Sequence, residues 1–440
     1  MHVVWGIRWD REIDRRRTAM AVLALLSALA IGLLAFGAQA RAAQPATTVP
    51  PTTLDDVRAA IGAAQSGATG AGVDVAVVDT GMVPVPALAA PGKVVQGPDF
   101  SNQGRDPRFA HLDTYGHGTH IAGIIAGVAP GARLVNLKAA GADGATNLGA
   151  IVAAVGWAVA HRDDYGLHIR VLNLSFGTPP TRYEQDLLAY AVEQAWKAGI
   201  VVVASAGNEG TSQRGLTSPG YDPFLVAVGA DDLAGTPDVG DDVVPSWSSR
   251  GDGVRNPDLV APGRSIVSLR DPNSALDLAH PEARVGDDLF KGSGTSQAAA
   301  VVSGAVALLL ERRPDLTPDQ VKALLTRSAT PLANTAREAQ GAGRLDIAGA
   351  LAAPTPDPAS ARQLFRPAQI RGLLAKLLAG AGGRRHADVG PVGPDGSSWG
   401  GAKWGGSSWG GSSWGGSSWG GSSWGGSSWG SSSWSSASGD

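Results

Sequence analysis

The chain predicts an α/β protein in three layers, with a mostly parallel central sheet and helices on both faces. Short apolar runs alternate with longer helical segments, in the order 73–78, a helix opening at His117, 134–138, 148–161, 171–175, 183–198, 200–204 and 225–228. Such alternation builds parallel strands joined by crossover helices, which cover the sheet on both sides. A second observation is the run Val301-Val302-Ser303-Gly304-Ala305-Val306-Ala307-Leu308-Leu309-Leu310, which has no polar face and therefore belongs to a helix buried all round. The third is that strand 73–78 ends in Asp79-Thr80-Gly81, a carboxylate at the carboxyl end of a strand, where open α/β sheets place their sites.

Taken along the chain, residues 1–17 carry Arg8, Arg11, Arg15, Arg16 and Arg17, and residues 18–38 are uncharged and apolar. Ala38-Gln39-Ala40 and Ala40-Arg41-Ala42 both fit a small-residue cleavage site, so residues 1–40 read as a secretion signal with a long basic start. The apolar run is also about long enough to span a bilayer, which leaves an uncleaved signal anchor as the alternative. Arg15-Arg16-Arg17 suggests a twin-arginine signal, but the residues after Arg17 match that pattern poorly. Residues 41–70 form a short N-terminal region, Pro-rich over 45–51 and helical over 53–64.

Residues 71–353 form the main domain. The chain has no cysteine, so an exported protein of this kind depends on its core alone, and a domain of this size buries enough surface for that. Its net charge of −3 excludes nucleic-acid affinity as a function.

Three segments in this domain carry chemistry. Asp79 is the first. Tyr115-Gly116-His117-Gly118-Thr119-His120 leads into a small and apolar run from Ile121, which sets an imidazole at a helix start packed close by glycines. Gly292-Ser293-Gly294-Thr295-Ser296-Gln297 opens the buried helix, so Ser296 stands at its N-terminus, where free N–H groups and the helix dipole favour developing negative charge. Alone, the segment at Ser296 reads as an ordinary capped core helix. Together, a serine, a neutral imidazole to take its proton and a carboxylate to orient that imidazole are the requirements of nucleophilic acyl transfer.

The chain order Asp79, His117, Ser296 and the motifs around those residues resemble the subtilisin-like serine peptidases, over residues 72 to about 347. The resemblance implies a secreted serine endopeptidase with Asp79, His117 and Ser296 as its catalytic triad and polypeptides as substrates. It further implies that Asn208, in Ala206-Gly207-Asn208-Glu209-Gly210, donates to the oxyanion. Read without the family, an Asn beside Gly is a turn residue. By the same match, Ser175, Phe176 and Gly177 line one wall of the main specificity pocket and Ser205, Ala206 and Gly207 the other, with substrate bound by strand addition. Small residues on both walls leave room for a large apolar or aromatic side chain, while Glu209 near the rim favours a basic one; Phe176 suits the core better than substrate contact.

Departures from the family pattern are also informative. Gln297 follows the nucleophile where many relatives have Met, and Ala300 and Val301 replace a usual Pro and His, changes that suit a buried helix. Between the His117 helix and Val128-Ala129-Pro130 there is no room for the Asn-rich loop that carries a strong calcium site in well-known relatives. No cofactor is expected, and Asp106, Asp113, Asp241 and Asp242 read as solvated loop acids with weak calcium binding as their alternative use. His120, three residues after His117, lacks an accompanying zinc motif and reads as structural. Relatives carry a folded inhibitory prodomain larger than the 30 residues of 41–70.

Thr317-Pro318 starts a further helix, and Gly341-Ala342-Gly343-Arg344-Leu345-Asp346 resembles the segment closing the family's catalytic domain. Residues 354–395 combine a linker containing Pro354, Pro356 and Pro358 with a basic amphipathic stretch over 363–378. Residues 396–440 are a Gly/Ser/Trp repeat in which tryptophan recurs every five residues from Trp399 to Trp434. Gly and Ser cannot bury enough apolar area to fold, so the segment reads as a low-complexity tail, and its functional use would be multivalent contact with glycan or cell wall. A subtilase-like fold serving mainly to present that tail at a surface is the second function class. The peptidase itself is expected to be monomeric, secreted and extracellular, or cell-surface associated.

Overall fold

The computed structural model describes residues 51–178, 186–212 and 215–357, with the backbone of Ser413–Trp414. The signal segment 1–40, the basic stretch 363–378 and all but that dipeptide of the repeat lie outside the described residues.

Seven parallel strands form the central sheet: β1 (Asp74–Asp79), β2 (Val94–Gln96), β3 (Arg133–Lys138), β4 (Ile169–Leu174), β5 (Val201–Ser205), β6 (Val226–Asp231) and β7 (Leu259–Pro262), in the order β2-β3-β1-β4-β5-β6-β7. Every residue of β1, β5, β6 and β7 is buried, as expected where helices cover both faces of a parallel sheet. On one face pack α2 (His117–Val128) and α6 (Thr295–Arg312), which also contact each other. On the other pack α3 (Leu148–Ala160) and α4 (Leu187–Lys197). All residues of α6 from Thr295 to Leu310 are buried, matching its lack of a polar face.

The sequence places the third crossover helix over 183–198; the described helix begins after Asp186, whose carboxylate accepts from Leu188 N–H and so caps it. The N-terminal helix α1 (Leu54–Ala60) is shorter than the expected 53–64. Thr53 and Asp56 form its capping box, and Gly62 turns the chain with a φ of 72°. It belongs to the domain: Thr52 exchanges backbone hydrogen bonds with Ser265 and Val267 at 2.8 and 2.9 Å, and Arg58 donates to the last carbonyls of α2 at Gly127 and Val128.

A small antiparallel sheet of β8 (Ile266–Leu269), β9 (Arg284–Val285) and β10 (Leu289–Ser293) delivers the chain to Ser296. The outer edge of β10 at Gly292 and Ser293 also pairs with Ser413–Trp414. Between β8 and β9 lies an excursion that periodicity did not reveal, with α5 (Ala275–Ala279) held by Asp277, whose carboxylate binds both Arg270 and Arg284.

Candidate active site

Asp79 is the last residue of β1 and His117 the first of α2. Nδ1 of His117 lies 2.8 and 3.1 Å from the two oxygens of Asp79, and both side chains are buried. A carboxylate can only accept, so Nδ1 carries the proton and Nε2 presents a lone pair. Burial pushes the Asp79 carboxyl above its usual range, opposed by His117 and by the backbone N–H of Thr80. The close approach of helix to strand needs Gly118: a β-carbon there would sit 2.2 Å from the carbonyl oxygen of Gly81 and 3.1 Å from Asp79 Oδ1.

Ser296 is the second residue of α6. Its hydroxyl donates to the main-chain carbonyl of Ser175 at 3.1 Å, and the hydroxyl of Ser175 donates back to the Ser296 carbonyl at 3.2 Å. Below them Asn173 donates to Ser175 Oγ at 2.8 Å and accepts from Ser303 at 2.9 Å, a buried chain tying β4 to the helix of the nucleophile. Such fully satisfied buried networks fix geometry.

Asn208 follows β5. Its carbonyl oxygen accepts from the Thr295 N–H at 2.8 Å and the Thr295 hydroxyl at 3.0 Å, which assigns the other prong as the N–H2 and leaves it for a ligand beside Ser296. Thr295 Oγ1 also accepts from Gly207 N–H at 3.2 Å. With the N–H groups at the start of α6, this arrangement can receive an anionic oxygen.

The two expected pocket walls lie side by side: Ser205 Oγ donates to the Phe176 carbonyl at 3.2 Å. Phe176 is 2% exposed and belongs to the core. Ser175 contributes its carbonyl to Ser296 and turns its hydroxyl to the helix. Gly177 and Gly207 are both backed by Thr217, whose atoms would meet an added β-carbon at 2.5 and 2.7 Å. Thr217 thus packs against both glycines, beside the Glu209 carboxyl at Gly207, although its place in sequence carries no signal. Glu209 is 8% exposed, accepts from the Ser249 hydroxyl at 3.0 Å, and is held above the usual carboxyl range by burial, so it is turned inward and not displayed at a rim.

The acidic loop residues require correction. Asp106 pairs with the exposed Arg108 at 2.7 Å and Asp241 accepts from Thr236 at 2.9 and 3.0 Å, as surface acids do. Asp113 and Asp242 are buried instead of solvated: Asp242 binds Arg344 at 2.7 Å, and Asp113 accepts donors around His117. No group of three or more His, Cys, Asp or Glu side chains suited to a metal ion occurs among the described residues. His120 is buried beside Phe290, its Nε2 3.1 Å from that residue's carbonyl, and burial together with His117 lowers it to about 3, which keeps it neutral.

An α/β sheet that sets an Asp–His pair at one strand end and a serine at the start of a buried central helix defines the scaffold of a serine hydrolase. The chain belongs to the subtilase family, whose profile matches residues 70–343. It is 40% identical over 273 residues to serine protease AprX of Bacillus subtilis (strain 168), covering 58% of this chain and 61% of that protein. It is 33% identical to subtilisin DY of Bacillus licheniformis over 236 residues, 51% of this chain and 74% of the relative. Among solved structures it resembles fervidolysin from Fervidobacterium pennivorans, a keratinolytic enzyme related to subtilisin, with a TM-score of 0.53 and 29% identity over 69% of this chain and 46% of that one. The match thus leaves about two fifths of AprX and half of fervidolysin uncovered.

Proposed function

We propose that the protein is a secreted serine endopeptidase. The observation that carries this reading is the buried Asp79–His117 hydrogen bond, on a helix packed against the one that carries Ser296 in its first turn. In the reaction, Ser296 Oγ leaves its bond to Ser175 and passes its proton to Nε2 of His117 as it attacks the scissile carbonyl. Asp79 stabilises the imidazolium so formed. The carbonyl oxygen, now anionic, takes hydrogen bonds from Asn208 Nδ2 and the helix start. His117 then returns the proton to the leaving amine; water attacks the acyl-enzyme by the same route.

Substrate lies along Ser175 to Gly177 as an added strand. With Glu209 turned inward and Thr217 backing both walls, the favoured residue before the cleaved bond is apolar, of moderate size. No metal or cofactor takes part. The tryptophan repeat is read as an adhesive segment for glycan or cell wall, so removing residues 396–440 reduces retention on wall material and leaves hydrolysis of a small peptide unchanged.

The test is labelling by a fluorophosphonate probe, which reacts with an activated serine. Purified protein is expected to be labelled at Ser296 and to hydrolyse peptides, and Ser296→Ala to do neither. Hydrolysis surviving in Ser296→Ala would refute the reading.

A further inference from the structure

We propose that Asp113 is a positioning residue of the catalytic centre, a second buried carboxylate that locks Asp79 and His117 to each other and lends negative charge to the imidazolium formed in the reaction. The inference rests on the peptidase reading above. Asp113 is 3% exposed and lies on the loop before α2. Its Oδ1 accepts from the N–H groups of Tyr115 and Gly116 at 3.1 and 2.7 Å and from the hydroxyl of Thr80 at 2.8 Å. Its Oδ2 accepts from Thr119 N–H at 2.7 Å. Three donors therefore come from backbone on either side of His117, and the fourth from the residue after Asp79.

Thr80 completes the lock. Its N–H donates to Asp79 Oδ1 at 2.7 Å, and its hydroxyl, while donating to Asp113, accepts from Gly118 N–H at 2.8 Å. The end of β1 and the start of α2 are joined through one carboxylate and one hydroxyl. A negative charge at a helix N-terminus is favourable in itself, but simple capping would not require Thr80.

The surroundings are specialised for a charged group. Lys138, at the end of β3 and buried, faces Asp113 while its ammonium donates to Gln103 at 2.8 Å and to the carbonyls of Phe109 and Leu112 at 3.1 and 2.5 Å, fixing the loop that leads to Asp113. From the excursion after β8, Ala275 and Leu276 donate backbone bonds to Thr114 and Tyr115 at 3.1 and 2.9 Å. The groups facing His117 are Asp79 from β1 and His120 from its own helix; Asp113 acts on Asp79. Those facing Asp113 are Asp79, Tyr115, Lys138 and Asp271; burial and the Asp113 charge push Asp271 up to about 8.

The experiment compares wild type, Asp113→Asn, Thr80→Val and Thr80→Ser, each normalised by active-site titration, on a small chromogenic peptide across pH. Asp113→Asn removes the charge and one acceptor; kcat is expected to fall about 10- to 100-fold, since small misplacements of reacting groups cost that much. KM should change little. The acidic limb of the kcat/KM profile should move to lower pH by roughly half a unit, because loss of a nearby anion disfavours the imidazolium. Thr80→Val, which keeps the charge, should lower kcat about tenfold with the limb in place, and Thr80→Ser should restore it. Wild-type kcat or an unmoved limb in folded Asp113→Asn overturns the proposal. If Asp113→Asn does not fold, Thr80→Val decides: wild-type kcat there overturns it, and a loss rescued by Thr80→Ser supports it. A wild-type protein without peptidase activity would instead remove the reading on which the proposal rests.

Discussion

Two strands of the central sheet, β1 and β6, each end on a buried aspartate, and the two meet opposite fates. Asp79 is 1% exposed and Asp231 is fully buried, and burial raises both carboxyls above their ordinary range. Asp79 faces an imidazole N–H and a backbone N–H. The carboxyl oxygens of Asp231 find no N–H or O–H donor among the described groups, and the carboxyl that acts on them is that of Asp242, which binds Arg344. Two buried carboxyls near each other resist ionising together, so the Asp79–His117 pair becomes an ion-orienting device, whereas burial and the neighbouring Asp242 favour the protonated form of Asp231. A carboxylate at a strand end is thus not in itself a catalytic group. The donor opposite it decides.

The largest test of that contrast is a matched pair of amides. Asp79→Asn should lower kcat about 10⁴-fold with little change in folding, since the amide orients the wrong imidazole tautomer. Asp231→Asn should leave kcat within about twofold. Equal activity losses in both variants would break the comparison.

On the other flank of Ser296, Asn208→Ala should cost about 10²–10³ in turnover with KM nearly unchanged, because its N–H2 acts on an oxyanion absent from the ground state. Thr295 orients that amide, so a much smaller loss would show that the helix N–H groups suffice.

A third effect is on stability. Above about pH 4 an unfolded Asp231 has lost its proton while the folded one retains it, so the folded state binds more protons and stability declines as pH rises towards the raised folded value. Asp231→Asn removes that slope. Its melting temperature should exceed that of wild type by a few degrees at pH 8, with the gain shrinking towards pH 4. A gain independent of pH would show that no shared proton was involved.

The smallest expected effect is that of a chelator. If Asp231 and Asp242 share a proton, chelation should shift the melting temperature by no more than about 1 °C, well under the change produced by 1 kcal/mol. A drop of several degrees would mean that a cation, not a proton, joins the pair.

Much of this site was legible because its signals are local. The apolar run after Ser296 implies a helix buried on every side, and the glycines around His117 imply close packing; both are properties of consecutive residues. The strand ending at Asp79 is likewise marked by its own pattern. The fold brings Asp79 to His117 and Asn208 to the start of the Ser296 helix, residues that the motifs single out. Local reasoning failed where the partner lies far along the chain. Asp113 and Asp242 look like solvated loop acids until Thr80 and Arg344 are brought to them, and Glu209 reads as a rim charge until Ser249 turns it inward. The excursion holding α5 has no sustained periodicity, because its stability comes from Asp277 and two arginines rather than from an apolar face.

By itself, then, the sequence determined most strands and helices of the central layers, the burial of the helix that follows Ser296, and the segments around Asp79, His117, Asn208 and Ser296 that stand out as candidates, since periodicity and motif are written in neighbouring positions. The tertiary structure alone decided which carboxylates are charged partners and which hold protons, how Asn208 is turned, and what backs the pocket. Those outcomes depend on desolvation and on hydrogen bonds between groups tens to more than a hundred residues apart, such as Thr80 with Asp113 and Asp242 with Arg344, and chain folding sets both.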